Sequence, residues 1–95
     1  MKRFKKLNTK VVENGNMTEV WLHGHKIVEF DENFAKLDAC GWYTVTTKRR
    51  MNQVSEHFDL GFAVYQENFA WFVDSRNGTK EFDYDGTCEV ALFAW

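Results

Sequence analysis

Short segments rich in β-branched and aromatic residues alternate with Gly-, Asn- and Asp-containing turn pairs, apolar residues fall at helical spacing only once, and proline is absent. Together these call for an α+β fold: a small single domain with an antiparallel β-sheet, in the order β-β-β-α-β-β-β-β, packed on one amphipathic helix at about residues 47–58. Residues 1–9 read as a basic flexible arm, since Lys2, Arg3, Lys5 and Lys6 crowd it, and residues 10–95 as the folded domain.

Along the chain, Glu13-Asn14-Gly15-Asn16 is a turn cluster able to close a short hairpin from Lys10–Val12 to Thr18–Leu22. His23-Gly24 joins that segment to His25–Phe30, because Gly accepts positive φ and His is enriched there. Asp31-Glu32-Asn33 then leads into Phe34–Ala39, completing a meander. From Thr46 or Thr47, either a good N-cap, Met51, Val54 and Phe58 share one helical face, and Gly61 offers a left-handed stop. Phe62–Gln66 and Phe69–Arg76 flank a turn at Glu67-Asn68. Asn77-Gly78 and Asp85-Gly86 connect onward to Thr79–Tyr84 and Thr87–Trp95, which reads as a four-stranded C-terminal meander.

Ninety-five residues form one domain, and 44% hydrophobic with 17% aromatic residues supply a core. No apolar run reaches the ~18–20 residues of a membrane span, so no membrane partner is expected. The polar Leu7–Asn16 after the basic start is unlike an export signal. Cys40 and Cys88 lack any CxxC or zinc-ribbon spacing and are expected as reduced thiols; a disulfide between them would need an exported chain. The net charge of −2 hides an asymmetry: residues 1–50 carry ten Lys/Arg against six Asp/Glu, and residues 51–95 two against eight. That argues against a uniformly basic nucleic-acid coat and for two faces of opposite sign.

The densest candidate site is Thr44-Val45-Thr46-Thr47-Lys48-Arg49-Arg50-Met51-Asn52. Three cations in a first helical turn oppose the helix dipole, which prefers anions there. Exposed N–H groups, Thr46 and Thr47 hydroxyls and the Lys48, Arg49 and Arg50 heads could together hold a phosphate backbone or the carboxylates of an acidic protein, with Trp42 and Tyr43 as stacking anchors. The plainer alternative makes the cations a solvated face and Trp42 part of the core. His23 and His25 would share a strand face, but the intervening glycine turn splays them, and no further ligand stands at metal spacing. Ser55, Ser75, Cys40 and Cys88 match no nucleophile signature, and Asp74, Glu81, Asp83 and Asp85 read as solvated turn carboxylates. No Gly-rich phosphate loop is present, so neither an enzyme nor a cofactor is expected. In Phe69-Ala70-Trp71-Phe72-Val73, with Tyr65 on the preceding strand, alternation makes both faces apolar: Phe69, Trp71 and Val73 on one, Ala70 and Phe72 on the other. One face must meet the helix; the other is either covered by the N-terminal meander or left as an interface patch.

The run Cys40–Asn52, with its pattern Gly, aromatic, any, Thr, any, Thr-Thr-Lys, any, Arg, aliphatic, Asn, followed by Val64-Tyr65-Gln66 and Trp71-Phe72-Val73, resembles a family of small accessory proteins of tailed bacteriophages over about residues 20–75. The resemblance implies a phage origin and a setting in the host cell cytoplasm, without implying a reaction. The expected function is stoichiometric binding to a host protein or nucleoprotein complex, as an inhibitor or modulator of host defence (an anti-CRISPR, for example) or of host transcription or replication. Its contacts would come from Trp42, Lys48, Arg49, Arg50 and Asn52, flanked by Thr46, Thr47 and Tyr65, with Asp83, Asp85 and Glu89 imitating phosphates. Two alternatives stand beside it: a nucleic-acid-binding module using the same helix start and basic arm, and a virion or assembly component acting by self-association, a homodimer included.

Overall fold

A computed structural model describes residues 4–92. Four strands precede the single helix and four follow it: β1 (Thr9–Asn14), β2 (Met17–Leu22), β3 (His25–Phe30), β4 (Phe34–Asp38), α1 (Val45–Phe58), β5 (Ala63–Glu67), β6 (Ala70–Ser75), β7 (Gly78–Glu81) and β8 (Thr87–Ala91). The α+β class holds. The extra strand is β1, which starts at Thr9 and pairs along its full length with β2, so the expected short hairpin is a complete ladder. The arm is anchored as well: Phe4 packs edge-on against His57 at 5.0 Å and against Phe58 at 5.9 Å, while Lys5–Asn8 stay exposed. Residues 1–3 of that arm, and the 93–95 end of the last expected strand, lie outside the described residues.

The strands form two antiparallel sheets, one in the order β1-β2-β3-β4-β8 and one in the order β5-β6-β7. The C-terminal meander therefore breaks after β7. Gly86 turns the chain with φ 86°, a conformation glycine takes freely, and a Cβ there would stand 2.8 Å from the Tyr43 hydroxyl and push that ring aside. β8 then pairs with β4, placing Cys88 opposite Leu37 and Val90 opposite Ala35. One face of the larger sheet is apolar, with Val20, Leu22, Ile27, Val28, Leu37 and Cys88 buried. The helix lies over β3 and the small sheet over β8, side by side, and their Met51, Val54, Val64, Trp71 and Val73 complete the core.

Local chemistry explains the turns and caps. His23 and Gly24, at φ 51° and 80°, make the two-residue β2–β3 loop, the two positive values that a type I′ hairpin requires. Asn68 and Phe69, at φ 51° and 68°, make the same turn between β5 and β6, one residue later than Glu67-Asn68. Phenylalanine takes the place usually held by glycine, a conformation that costs an L-residue roughly 1–2 kcal/mol. The helix starts at Val45 because Thr44, not Thr46 or Thr47, is the cap: its hydroxyl accepts the Thr47 N–H at 3.2 Å. It ends at Asp59, which adopts φ 55° ahead of Gly61, while the N–H groups of Asp59 and Leu60 close on the carbonyls of Glu56 and Ser55.

The small sheet is tied to the helix by polar side chains. Asn52 donates from Nδ2 to the Val64 carbonyl at 2.9 Å and accepts the Val64 N–H at 2.6 Å. Ser55 Oγ donates to the Phe62 carbonyl at 2.7 Å and accepts the Phe62 N–H at 3.0 Å. Asn52→Ala is expected to lower stability by ~1–3 kcal/mol, the cost of stranding a partly buried N–H and C=O, whereas the exposed Arg49→Ala is expected to stay within about 0.5 kcal/mol; scanning calorimetry of both variants checks this.

Two turn carboxylates give the fold a pH dependence. The Asp31 carboxyl lies below its ordinary range because it accepts the Phe34 and Asn33 N–H groups, and Asp85 does so through the Thr87 hydroxyl and N–H. A pKa depressed on folding stabilises above the unfolded value of ~3.9 and is lost as pH falls through the folded one. Denaturant titrations are therefore expected to show stability dropping below about pH 4, with a shallower slope in Asp31→Asn and Asp85→Asn.

Candidate functional site

Between β4 and α1 the chain reverses through Cys40 and Gly41, at φ 54° and 77°. The reversal is held by the Asp38 carboxylate on the Cys40 N–H at 2.8 Å, by the Ala39 N–H on the Gly86 carbonyl at 2.9 Å and by the Trp42 N–H on the Ala39 carbonyl at 2.8 Å. This brings Trp42 beside His25, with ring centroids 5.7 Å apart, and opens an apolar pocket of about 540 Å³ next to the helix start. Leu22, Ile27 and Ala39 are its buried lining, His23, His25 and Trp42 supply aromatic rings, and Thr44, Thr46 and Thr47 come from the helix start. A bulge builds part of it: the β2–β3 register shifts between Val20 and Trp21, passing over Ile27, so that Ile27 and Val28 are both buried.

Around the pocket large apolar side chains stand in solvent: Trp42 is 55% exposed, Tyr43 50% and Val45 61%. Tyr43 meets Trp71 edge-on at 5.3 Å, and its hydroxyl lies against Gly86, two residues beyond the fully exposed Tyr84. Trp42 is therefore a surface residue, not part of the core.

The helix start gathers only some of the residues singled out there. Trp42, Thr46 and Thr47 line one pocket, although Thr47 is buried and its hydroxyl sits 3.0 Å from that of Thr44. The cations diverge, as consecutive residues at about 100° per step must. Lys48 reaches over the Trp71 ring, 5.9 Å from its centroid. Arg49 points to solvent, and Arg50 turns back to Gln53 Oε1 at 2.8 Å, with burial and the neighbouring Arg49 lowering its pKa. Asn52 is committed to Val64, and Tyr65 stacks on Phe72 across the outer face of the small sheet, away from the pocket. The first turn carries no acid, so the helix dipole there is uncompensated.

Asp83, Asp85 and Glu89 do not make a bare anionic strip. Glu89 pairs in register with Lys36, and Lys80 Nζ bonds the Glu89 carbonyl at 3.0 Å, so two lysines share the hollow lined by Asp83 and Glu89. Candidate nucleophiles are occupied. Ser55 holds Phe62, Cys40 Sγ donates to the Lys26 carbonyl at 3.3 Å, and burial pushes the thiols of Cys40 and Cys88 upward. Among the described residues no group of His, Cys, Asp and Glu is arranged to hold a metal ion, and no helix is long and apolar enough to cross a membrane. His23, His25 and Tyr84 are the surface residues that reading the sequence did not connect with the site. The histidines stood in plain view, but the bulge and the loop closure that place them leave no local signature.

A direct comparison supports a tailed-phage family. A family model described as Kyanoviridae Gp96 protein matches residues 1–89, covering the basic arm and most of the C-terminal strands. No curated protein and no solved structure matches the chain. With a match across nearly its whole length, the chain belongs to the Kyanoviridae Gp96 family, a protein family of tailed cyanophages.

Proposed function

We propose that this phage protein works by binding, stoichiometrically and without catalysis, to a host protein in the host cell cytoplasm, as a modulator of host defence or of host transcription or replication. The observation that carries the reading is the half-exposed Trp42–Tyr43–Val45 segment bordering an apolar pocket. Tryptophan and tyrosine on a surface, next to a preformed apolar hollow, are the anchors that dominate protein interfaces. The segment is held by backbone bonds and by the Tyr43–Trp71 contact, so little ordering would remain at the moment of binding. The divergence of Lys48, Arg49 and Arg50 favours a protein over a nucleic-acid backbone, which would need those heads on one line.

A tagged full-length chain and its Trp42→Ala variant, each incubated with nuclease-treated host lysate at ~0.3 M salt, separate the readings, because exposed ion pairs are screened there. One stoichiometric host protein retained by the parent and lost, by roughly 10- to 100-fold in affinity, with Trp42→Ala is expected. Trp42→Ala should leave Tm nearly unchanged, since the indole is largely outside the core. Binding that collapses with salt would instead favour nucleic acid, and recovery in purified virions would favour an assembly role.

A further inference from the structure

The outer face of the small sheet is a second surface, and its chemistry differs from that of the pocket. Cross-strand register puts Ala63, Tyr65 and Glu67 of β5, Ala70, Phe72 and Asp74 of β6, and Thr79 and Glu81 of β7 on that side. The opposite side holds Val64, Trp71 and Val73 in the core. At the centre the Tyr65 and Phe72 rings stack, 5.6 Å apart and 21° from parallel, both half-buried, and form an aromatic platform. Three exposed carboxylates, Glu67, Asp74 and Glu81, surround it, and among the described residues of these strands no lysine or arginine shares the face.

The missing cations are accounted for. Arg76 and Lys80 are the cations of residues 51–95, and both are turned away: Arg76 reaches the Leu92 carbonyl at 3.5 Å and Lys80 the Glu89 carbonyl at 3.0 Å. The larger sheet shows the contrast. There Glu19 and Glu29 oppose each other across strands, and Lys26 stands between them at 3.5 and 2.6 Å and lies over Trp21. The carboxylates of the larger sheet thus have a cation of their own; on the small sheet Asp74 accepts from the Thr79 hydroxyl, and Glu67 and Glu81 face solvent. At the tip of the same sheet Phe69, 95% exposed, is held in a backbone conformation that glycine would adopt freely. A bulky side chain in such a conformation, with almost no packing around it, points to a contact made outside the chain.

We infer that the outer face of β5–β7, with Phe69 at its tip, is a docking surface for an arginine-bearing basic polypeptide segment. The planar guanidinium stacks on the Tyr65–Phe72 platform while Glu67, Asp74 and Glu81 take its N–H donors, a match that lysine's compact ammonium meets less well. The sign of the face excludes a nucleic-acid backbone. This inference rests on different residues from the Trp42 pocket and stands without it.

The test is an amide NMR titration of the isotope-labelled full chain with an Arg-Gly repeat peptide, using the citrulline version of the same peptide as the uncharged control. Shifts are expected to gather on residues 63–74 and 78–81 with the arginine peptide only. A Glu67→Gln/Glu81→Gln double variant should weaken binding roughly tenfold, the scale of two exposed ion pairs. Phe69→Gly should weaken binding while raising Tm by roughly 2–8 °C, because it relieves the turn; a purely structural phenylalanine would not move the two quantities in opposite senses. Shifts centred on Asp83, Asp85 and Glu89, equal response to the citrulline peptide, or a double variant that titrates like its parent would overturn the inference. Self-association of the chain alone, abolished by Glu67→Gln/Glu81→Gln, would give the face to the Lys5, Lys6 and Lys10 segment of a second copy and overturn the partner class.

Discussion

Asn52 and Ser55 do for β5 what a neighbouring strand would do, and the arrangement of the molecule follows from that substitution. Among the described residues β5 has a ladder partner only in β6; on its other edge the N–H and C=O groups of Phe62 and Val64 are met by helix side chains. Side chains three apart on a helix stand ~4.5 Å apart along its axis, and alternate strand residues ~6.6–6.8 Å apart. A short serine and a longer amide span that difference. The pairing of Asn52 with Val64 and Ser55 with Phe62 also fixes direction, since the helix must run antiparallel to β5. Its N-terminus then lies beside the β5–β6 hairpin, which carries Lys48 over Trp71, sets Tyr43 against the same indole and leaves Trp42 outside.

Elements with local causes were legible in the residues. His23-Gly24 forms the tight turn its composition demands, and Met51 and Val54 face inward at helical spacing, as does the β alternation of Trp71 and Val73. What the sequence concealed depends on partners far along the chain. β8 has the composition of one more meander strand, yet it pairs with β4 because the smaller sheet ends at β7 and the larger sheet still has an open edge beside Ala35 and Leu37. Phe69 looked like the first inward residue of an aromatic strand; the turn at Asn68-Phe69 removes it from the alternation.

The same limits apply to the sites. Thr44–Asn52 drew notice because its cations oppose a dipole, and the structure keeps that opposition while distributing the residues. Lys48 is absorbed by an aromatic ring, Arg50 by a glutamine, and Asn52 by the backbone of β5. A contiguous run on a helix cannot be a contiguous patch, since each step rotates the side chain by about 100°. Trp42 gained support from elements outside that run, through His25 on a strand and Ala39 at the end of another.

Charge shows most clearly how topology rewrites composition. By halves of the sequence, the C-terminal part is acidic and the N-terminal part basic. Had the halves folded as separate layers, one whole side of the protein would be negative. The crossing of β8 prevents this by carrying Glu89 next to Lys36 and bringing Asp83 into a hollow with Lys36 and Lys80. On the outer face of the small sheet Glu67, Asp74 and Glu81 are left around two stacked rings, with no cation of these strands beside them. The cations beside Glu89 and Asp83 set that face apart: a diffuse negative charge would attract any cation from a distance, whereas an aromatic and carboxylate platform selects by geometry as well as by sign.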